Sequence, residues 1–166
     1  MSEDPACATI RFTEDGIEAR ALGLKEGQTM TDAVLANAAK NVLSKVAGGL
    51  PKGLQNQLMH SVLHVKNFST RPDIKINIAD LRKQTRAENE LSIEYSDAAG
   101  VNTTRTILPL SIVYMDGKLM VISFCNLRND FRAFRVDRVA SFRATGKSFK
   151  PRRVAMLRDA IRAVTN

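Results

Sequence analysis

Hydrophobic residues near the start of the chain recur with the spacing of an α-helix. Thr13 belongs to the residue types that cap helix N-termini, and the acidic pair Glu14-Asp15 after it favours the helix dipole. The apolar positions that follow lie three to four residues apart, at Ile17, Ala21 and Leu24. We therefore predict a first helix that starts after Thr13 and ends at Gly27.

A second and stronger apolar stripe predicts a helix from about Thr31 to Ala47, with Gly48-Gly49 as its stop. We expect the whole stripe to be a packing face, formed by Val34, Leu35, Ala38, Val42, Leu43 and Val46.

The segment 52–90 has a weaker pattern. In its first part, a short strand is compatible with Val62, His64 and Val65. A third helix is predicted to start near Asn77 and to end before Leu91, with its inward positions at Ile78 and Leu81. We expect this stretch to join the helical part to the rest of the chain.

From Leu91 onward the hydrophobic period changes to the alternation of β-strands, with Leu91, Ile93 and Tyr95 on one face. Asp116-Gly117 is a hairpin signal, and Pro109 is tolerable only at an edge, a bulge or a bend. The four further strands are predicted over Thr103–Tyr114, Leu119–Cys125, Arg132–Val139 and Ser141–Phe149.

Five short strands with tight turns predict a small β-barrel that closes on itself and so removes exposed strand edges. A final helix should follow, with one face made by Val154, Leu157, Ile161 and Val164. The predicted fold class is therefore α+β. Its parts are a helical linker or dimerisation part over 1–88, a five-stranded barrel over 89–150 and a C-terminal helix over 151–166.

The net charge of +8 is concentrated at one end of the chain. Residues 1–125 carry 14 Lys/Arg and 14 Asp/Glu, whereas residues 126–166 carry 11 Lys/Arg and only Asp130, Asp137 and Asp159. Such asymmetry produces a directed positive field that attracts anionic partners. The alternative is a basic surface that is merely solvated.

Several classes of function find no support in the sequence. His60 and His64 have the spacing of metal ligands on a helix but no third ligand nearby, so no metal or other cofactor is expected. No nucleophile-base-acid arrangement is present, and catalysis is not expected. No apolar run reaches the about 18 residues of a membrane span, and the acidic N-terminus does not resemble a secretory signal. Cys7 and Cys125 are far apart in the sequence, so we expect each to be a lone thiol. Lone thiols suit a reducing compartment, and we therefore expect a cytoplasmic protein. Cys125 is expected to be a buried small hydrophobic residue.

The segment from Arg128 to Arg138 carries the most informative pattern. In a continuous strand, Arg132, Phe134, Val136 and Arg138 share one face, while Arg135 and Asp137 share the other and are expected to pair. Guanidinium groups bind phosphate oxygens bidentately, and an aromatic ring between them offers a stacking surface for bases. This pattern favours anion binding. The structural alternative is that an arginine here holds a buried carboxylate.

This segment resembles part of the WYL domain. The resemblance extends to other stretches of the strand region, namely Leu91–Asp97, Gly100, Arg105, Pro109-Leu110, Val113-Tyr114 and Gly117-Lys118. Upstream, Phe12–Leu24 and Leu35–Pro51 resemble the helical linker of DeoR-type helix-turn-helix regulators, so the resemblance covers roughly residues 12–150. It implies an Sm-like, SH3-type β-barrel that senses single-stranded DNA or a nucleotide-like ligand. With Phe134 from the strand pattern, the ligand-binding candidates are Tyr95, Arg105, Arg128, Arg132, Arg135 and Arg138.

Two features depart from that family pattern. The eponymous Trp-Tyr-Leu triplet aligns with Leu119-Met120-Val121, so the aromatic character of this strand is lost. No helix-turn-helix is expected before Phe12, which suggests either a piece of a longer regulator or a protein that acts through a partner. Tyr95 has two open interpretations, as a core residue beside Leu91 and Ile93 or as a residue of the pocket rim.

Three functional hypotheses follow. The first is an effector-sensing module of a bacterial transcriptional regulator that binds an anionic ligand, with a homodimer or a heterodimer as its assembly. The second is an orphan interaction module that heterodimerises with full-length regulators and needs no ligand. The third is an RNA-binding barrel, which would prefer RNA over DNA of the same sequence.

Overall fold

The computed structural model describes residues 13–30, 32–53, 55, 73–115 and 117–165, and the chain divides into two compact units between residues 67 and 68. The first unit contains helices α1, Glu14–Met30, and α2, Ala33–Gly48. The predicted cap of α1 is confirmed, since the Gly16 N–H donates to Thr13 Oγ1 at 3.2 Å. The predicted end at Gly27 is wrong, because this glycine is helical and lies opposite Ala39 of α2.

The apolar stripe of α2 is rotated relative to the prediction. The buried contacts of this unit run from Ile17 and Ala21 of α1 to Leu43, Ala47 and Leu50. The expectation that the whole stripe packs is wrong for Val34, Leu35 and Val42, which are exposed. The predicted strand residues Val62, His64 and Val65 lie outside the described residues.

The second unit is built on one antiparallel sheet. Helix α3, Ile78–Arg86, precedes strands β1, Asn89–Ser96; β2, Asn102–Met115; β3, Lys118–Cys125; β4, Asp130–Arg135; and β5, Val139–Ser148. A 3-10 turn, Val136–Arg138, joins β4 to β5, and helix α4, Arg153–Thr165, follows. The strand order is β4-β3-β2-β1-β5, so the predicted α+β class and C-terminal helix are confirmed.

Two hydrophobic clusters cover opposite faces of this sheet. On the inner face, Leu81 of α3 packs with buried residues of all five strands and with Val136 of the 3-10 turn. Asn77 Oδ1 caps α3 by accepting from the Asp80 N–H at 3.1 Å, and Ile78 packs inward as predicted. Pro109 stands at a register shift between β2 and β3, which is one of the places where a strand tolerates proline.

Helix α4 covers the outer face, where Leu108, Leu110 and Phe149 form a cluster with Met156, Leu157 and Ala160. Of the predicted face, Leu157 packs, but Val154 and Ile161 are exposed. The side of α4 that packs on the sheet is therefore rotated about the helix axis relative to the predicted apolar face. The side chain of Val164 lies outside the described residues.

The predicted closure into a barrel is not found. Among the described residues no ladder joins β4 to β5, and these strands form the two edges of an open sheet. The edges nevertheless lie close, because the four residue steps from Arg135 to Val139 span at most about 14 Å. The sheet must therefore curl strongly to bring its first and last strands to the ends of one short turn.

Candidate ligand-binding pocket

The inner face of the curled sheet opens into a cavity of about 180 Å³. Antiparallel pairing places the C-terminal ends of β1 and β3 beside the N-terminal ends of β2 and β4, so side chains from four strands meet there. The cavity is lined by Tyr95, Asp97, Arg105, Cys125, Arg128, Arg132, Ala133 and Phe134. Five of the seven predicted site residues are thus brought together.

The three arginines of this cavity have different partners. The Arg105 Nε donates to the neutral Thr103 Oγ1 at 3.1 Å. Arg132 Nη2 lies 3.2 Å from Asp130 Oδ2, with both side chains 55% exposed. The Arg128 guanidinium has no hydrogen bond or ion pair within the part of the chain that the structure describes. Positive charge in the cavity is therefore only partly compensated, which suits an anion.

The aromatic pair has a structural role that the strand pattern did not reveal. Phe134 is only 7% exposed and belongs to the inner core. The rings of Tyr95 and Phe134 pack edge to face, with centroids 5.0 Å apart and planes at 86°. Tyr95 is half-buried, packs against the core and also lines the cavity, so both of its interpretations apply. Phe134 is therefore mainly a core residue, with little exposed surface for base stacking.

Arg135 and Arg138 lie outside the cavity. The strand ends at Arg135, and Val136, fully buried, starts the 3-10 turn that holds Asp137 and Arg138. The predicted common face therefore holds for Arg132 and Phe134, which both line the cavity, but it is wrong beyond Arg135, because Val136 and Arg138 belong to a 3-10 turn and not to the strand. This geometry does not place Arg138 beside Arg132 as a second arm of one clamp.

The expected pairing of Arg135 with Asp137 is confirmed. Arg135 Nε and Nη2 donate to the two carboxylate oxygens of Asp137 at 3.1 and 2.5 Å. This hydrogen bonding holds the pKa of Asp137 below its usual value, and the attraction of Arg138 lowers it further. The same bond raises the pKa of Arg135. The pair fixes the turn that joins the two edges of the sheet.

Replacement of Asp137 by asparagine should lower the melting temperature at neutral pH. Because its pKa is lower in the folded protein, Asp137 contributes stability above the unfolded-state pKa of about 3.9. That contribution is lost as the pH falls through the folded-state pKa. The stability difference between Asp137→Asn and the parent should therefore shrink below about pH 4. Thermal melts from pH 2 to 8 test this, and a difference that is constant over this range would contradict it.

Sequence reasoning missed one charged residue of the cavity, Asp97. Its Oδ1 accepts from the N–H groups of Ala99 and Val101, at 2.9 Å each, and so shapes the β1–β2 turn. The available signal was its position directly after β1, two residues beyond Tyr95, where it starts the β1–β2 turn. Cys125 is buried, as predicted, and forms part of the cavity wall.

Among the described residues, no three His, Cys, Asp or Glu side chains are grouped so that they could hold a metal ion. No helix in these same ranges is both long and apolar enough to cross a bilayer. His60, His64 and Cys7 lie outside the described residues.

Comparison with known proteins agrees with the sequence resemblance. Residues 77–144 match the family model of the WYL domain. This segment is a WYL domain. It begins at the cap of α3, ends within β5 and contains all seven predicted site residues.

One solved structure that resembles the chain is the proteasome accessory factor B/C (PafBC) of Arthrobacter aurescens. The two are 22% identical, with a TM-score of 0.45, over 86% of this chain and 22% of the PafBC chain. The chain therefore spans about a fifth of the length of that protein.

Proposed function

We propose that this chain is the effector-sensing module of a bacterial transcriptional regulator, acts in the cytoplasm and has no catalytic activity. Its WYL domain would bind a nucleic-acid or nucleotide-like anion in the cavity between β1, β2 and β4. The observation that carries the proposal is the convergence of Arg105, Arg128 and Arg132 on one cavity. Arginine suits this task, because its planar fork pairs with two phosphate oxygens at once.

Ligand binding at this position offers a physical route to a signal. Arg105 lies on β2, whereas Arg128 and Arg132 lie in the β3–β4 turn and on β4. An anion held by all three would tie β2 to β4 and to the β3–β4 turn, and β2 and β4 share no ladder of their own. We expect the bound ligand to stabilise this part of the curled sheet.

Titration with a short single-stranded oligonucleotide at two salt concentrations tests this proposal. We expect binding at low salt that weakens steeply at higher salt, because neutralised phosphates release counterions. Fluorescence anisotropy of a labelled strand measures both affinities. Absence of binding at low salt, to oligonucleotides and to nucleotides alike, would overturn the proposal. A clear preference for RNA of the same sequence would favour the RNA-binding alternative.

A second candidate is the interaction module that heterodimerises without a ligand. The exposed apolar side chains Val34, Leu35 and Val42 of α2 favour it, since such a row suits a protein contact. Light scattering of the chain, alone and mixed with a full-length WYL regulator, tests association. Replacement of Val42 by lysine should weaken that association and leave oligonucleotide binding unchanged.

A further inference from the structure

We infer that the cavity takes a terminal phosphate monoester, the phosphorylated end of a strand or the phosphate of a nucleoside monophosphate, and not an internal phosphodiester or a base. This inference rests on the proposed function and names the chemical group that the site would recognise. It is carried by the size of the cavity, the charge of its lining and the burial of its aromatic wall.

The cavity is too small to enclose a whole nucleotide. Its volume of about 180 Å³ lies below the range of about 300–1,000 Å³ for pockets that bury a drug-sized ligand. Only one part of a nucleotide-sized ligand can therefore enter, and the remainder must lie over the rim. The lining decides which part enters.

Charge complementarity favours a dianion as the group that enters. Three lining arginines and the one lining carboxylate, Asp97, give the wall a net charge of +2. A phosphate monoester carries about −1.5 to −2 charges near pH 7, whereas an internal phosphodiester carries one. The monoester also presents three terminal oxygens, enough for more than one guanidinium fork.

The aromatic wall argues against a base in the interior. The Phe134 ring is only 7% exposed and packs edge to face with Tyr95, so little of its surface is available for a base. Exposed apolar side chains stand instead in the two turns that border the cavity. These are Val101, 55% exposed, and Leu127, 65% exposed. We place the nucleoside over this apolar rim, outside the cavity.

Asp130 is the internal competitor for the ligand. Its ion pair with Arg132 is exposed on both sides, and such pairs contribute little to stability. A phosphate dianion can therefore displace the Asp130 carboxylate and take over the Arg132 guanidinium. Replacement of Asp130 by asparagine should release Arg132 and strengthen binding of the phosphorylated ligand by about 1.5- to 5-fold.

The decisive experiment compares two oligothymidylates of equal length, one with a 5′-phosphate and one with a 5′-hydroxyl. We expect the 5′-hydroxyl strand to bind about 10- to 100-fold more weakly, which corresponds to losing charge-assisted hydrogen bonds. Thymidine 5′-monophosphate and inorganic phosphate, used as competitors, separate a free nucleotide from a strand end. Arg128→Ala should abolish the discrimination, and Arg143→Ala, an equal charge change on β5 outside the cavity, should retain it.

Each outcome has a distinct meaning. Equal affinity for both strands overturns the terminal-phosphate inference and leaves the proposed function standing. Tighter binding of the 5′-hydroxyl strand overturns the inference as well. Failure of both strands and both competitors to bind at low salt overturns the proposed function itself. Discrimination that survives Arg128→Ala would place the phosphate outside this cavity.

Discussion

Replacing Phe134 with alanine is expected to lower the free energy of unfolding by about 3–5 kcal/mol, the usual loss for a buried aromatic residue. Phe134 is buried among inner-core residues, and its ring packs edge to face on Tyr95. Truncation removes that contact and leaves a cavity between β4 and β1, strands that share no ladder. Urea denaturation of the ligand-free protein, followed by circular dichroism, measures the change.

Two further variants separate the core role of Phe134 from a stacking role. Phe134→Leu keeps most of the volume and should lose less than about 1.5 kcal/mol, with ligand affinity nearly unchanged. Leu127→Ala, at a side chain that is 65% exposed, should hardly change stability. A stable Phe134→Ala protein that no longer binds ligand would restore the stacking interpretation drawn from the strand pattern.

The strand pattern failed at Val136 for a physical reason. Val136 is fully buried, so hydrophobic alternation continues from Phe134 through a residue that no longer belongs to the strand. A 3-10 turn of three residues leaves no periodicity of its own in a sequence. The turn is set by the need to carry the chain between two sheet edges, and that is a tertiary constraint.

The helical periodicity predicted the positions of the helices along the chain well. It predicted less well which side of each helix is packed. Thr13 and Asn77 have local capping partners within three residues, and such signals are readable from sequence. The rotation of α2 and α4 depends on which neighbour each helix meets. Val34 and Ile161 continue apolar stripes, yet both are more than half exposed, because apolar spacing alone does not identify the packed side.

The residues of the candidate site that lie on paired strands could be predicted from the sequence. Tyr95, Arg105 and Arg132 stand close to the ends of their strands, and antiparallel register brings those ends together. Arg135 and Arg138 belong to the same sequence signature, but they lie at the 3-10 turn and outside the cavity. Asp97 was not predicted as a site residue because an Asp at the start of a turn is explained by its hydrogen bonds to the turn backbone. Its second position, in the cavity lining, depends on the tertiary fold.

Simultaneous replacement of Arg105 and Arg128 by alanine should weaken binding of a phosphorylated strand by about 100-fold or more. Each residue supplies a charge-assisted hydrogen bond of about 1.5–3 kcal/mol, so two account for at least two orders of magnitude. The slope of log K against log salt should fall by about two units, one for each lost phosphate contact. Anisotropy titrations across a salt series yield both quantities.

The matched control is Arg143→Ala combined with Arg158→Ala. These two arginines are exposed, lie outside the cavity and remove the same net charge. If binding depends on the cavity, this control should retain most of the affinity, and both double variants should melt within a few degrees of the parent. Equal losses in the two double variants would instead mean that the whole basic surface attracts the strand through its general field, which needs no cavity.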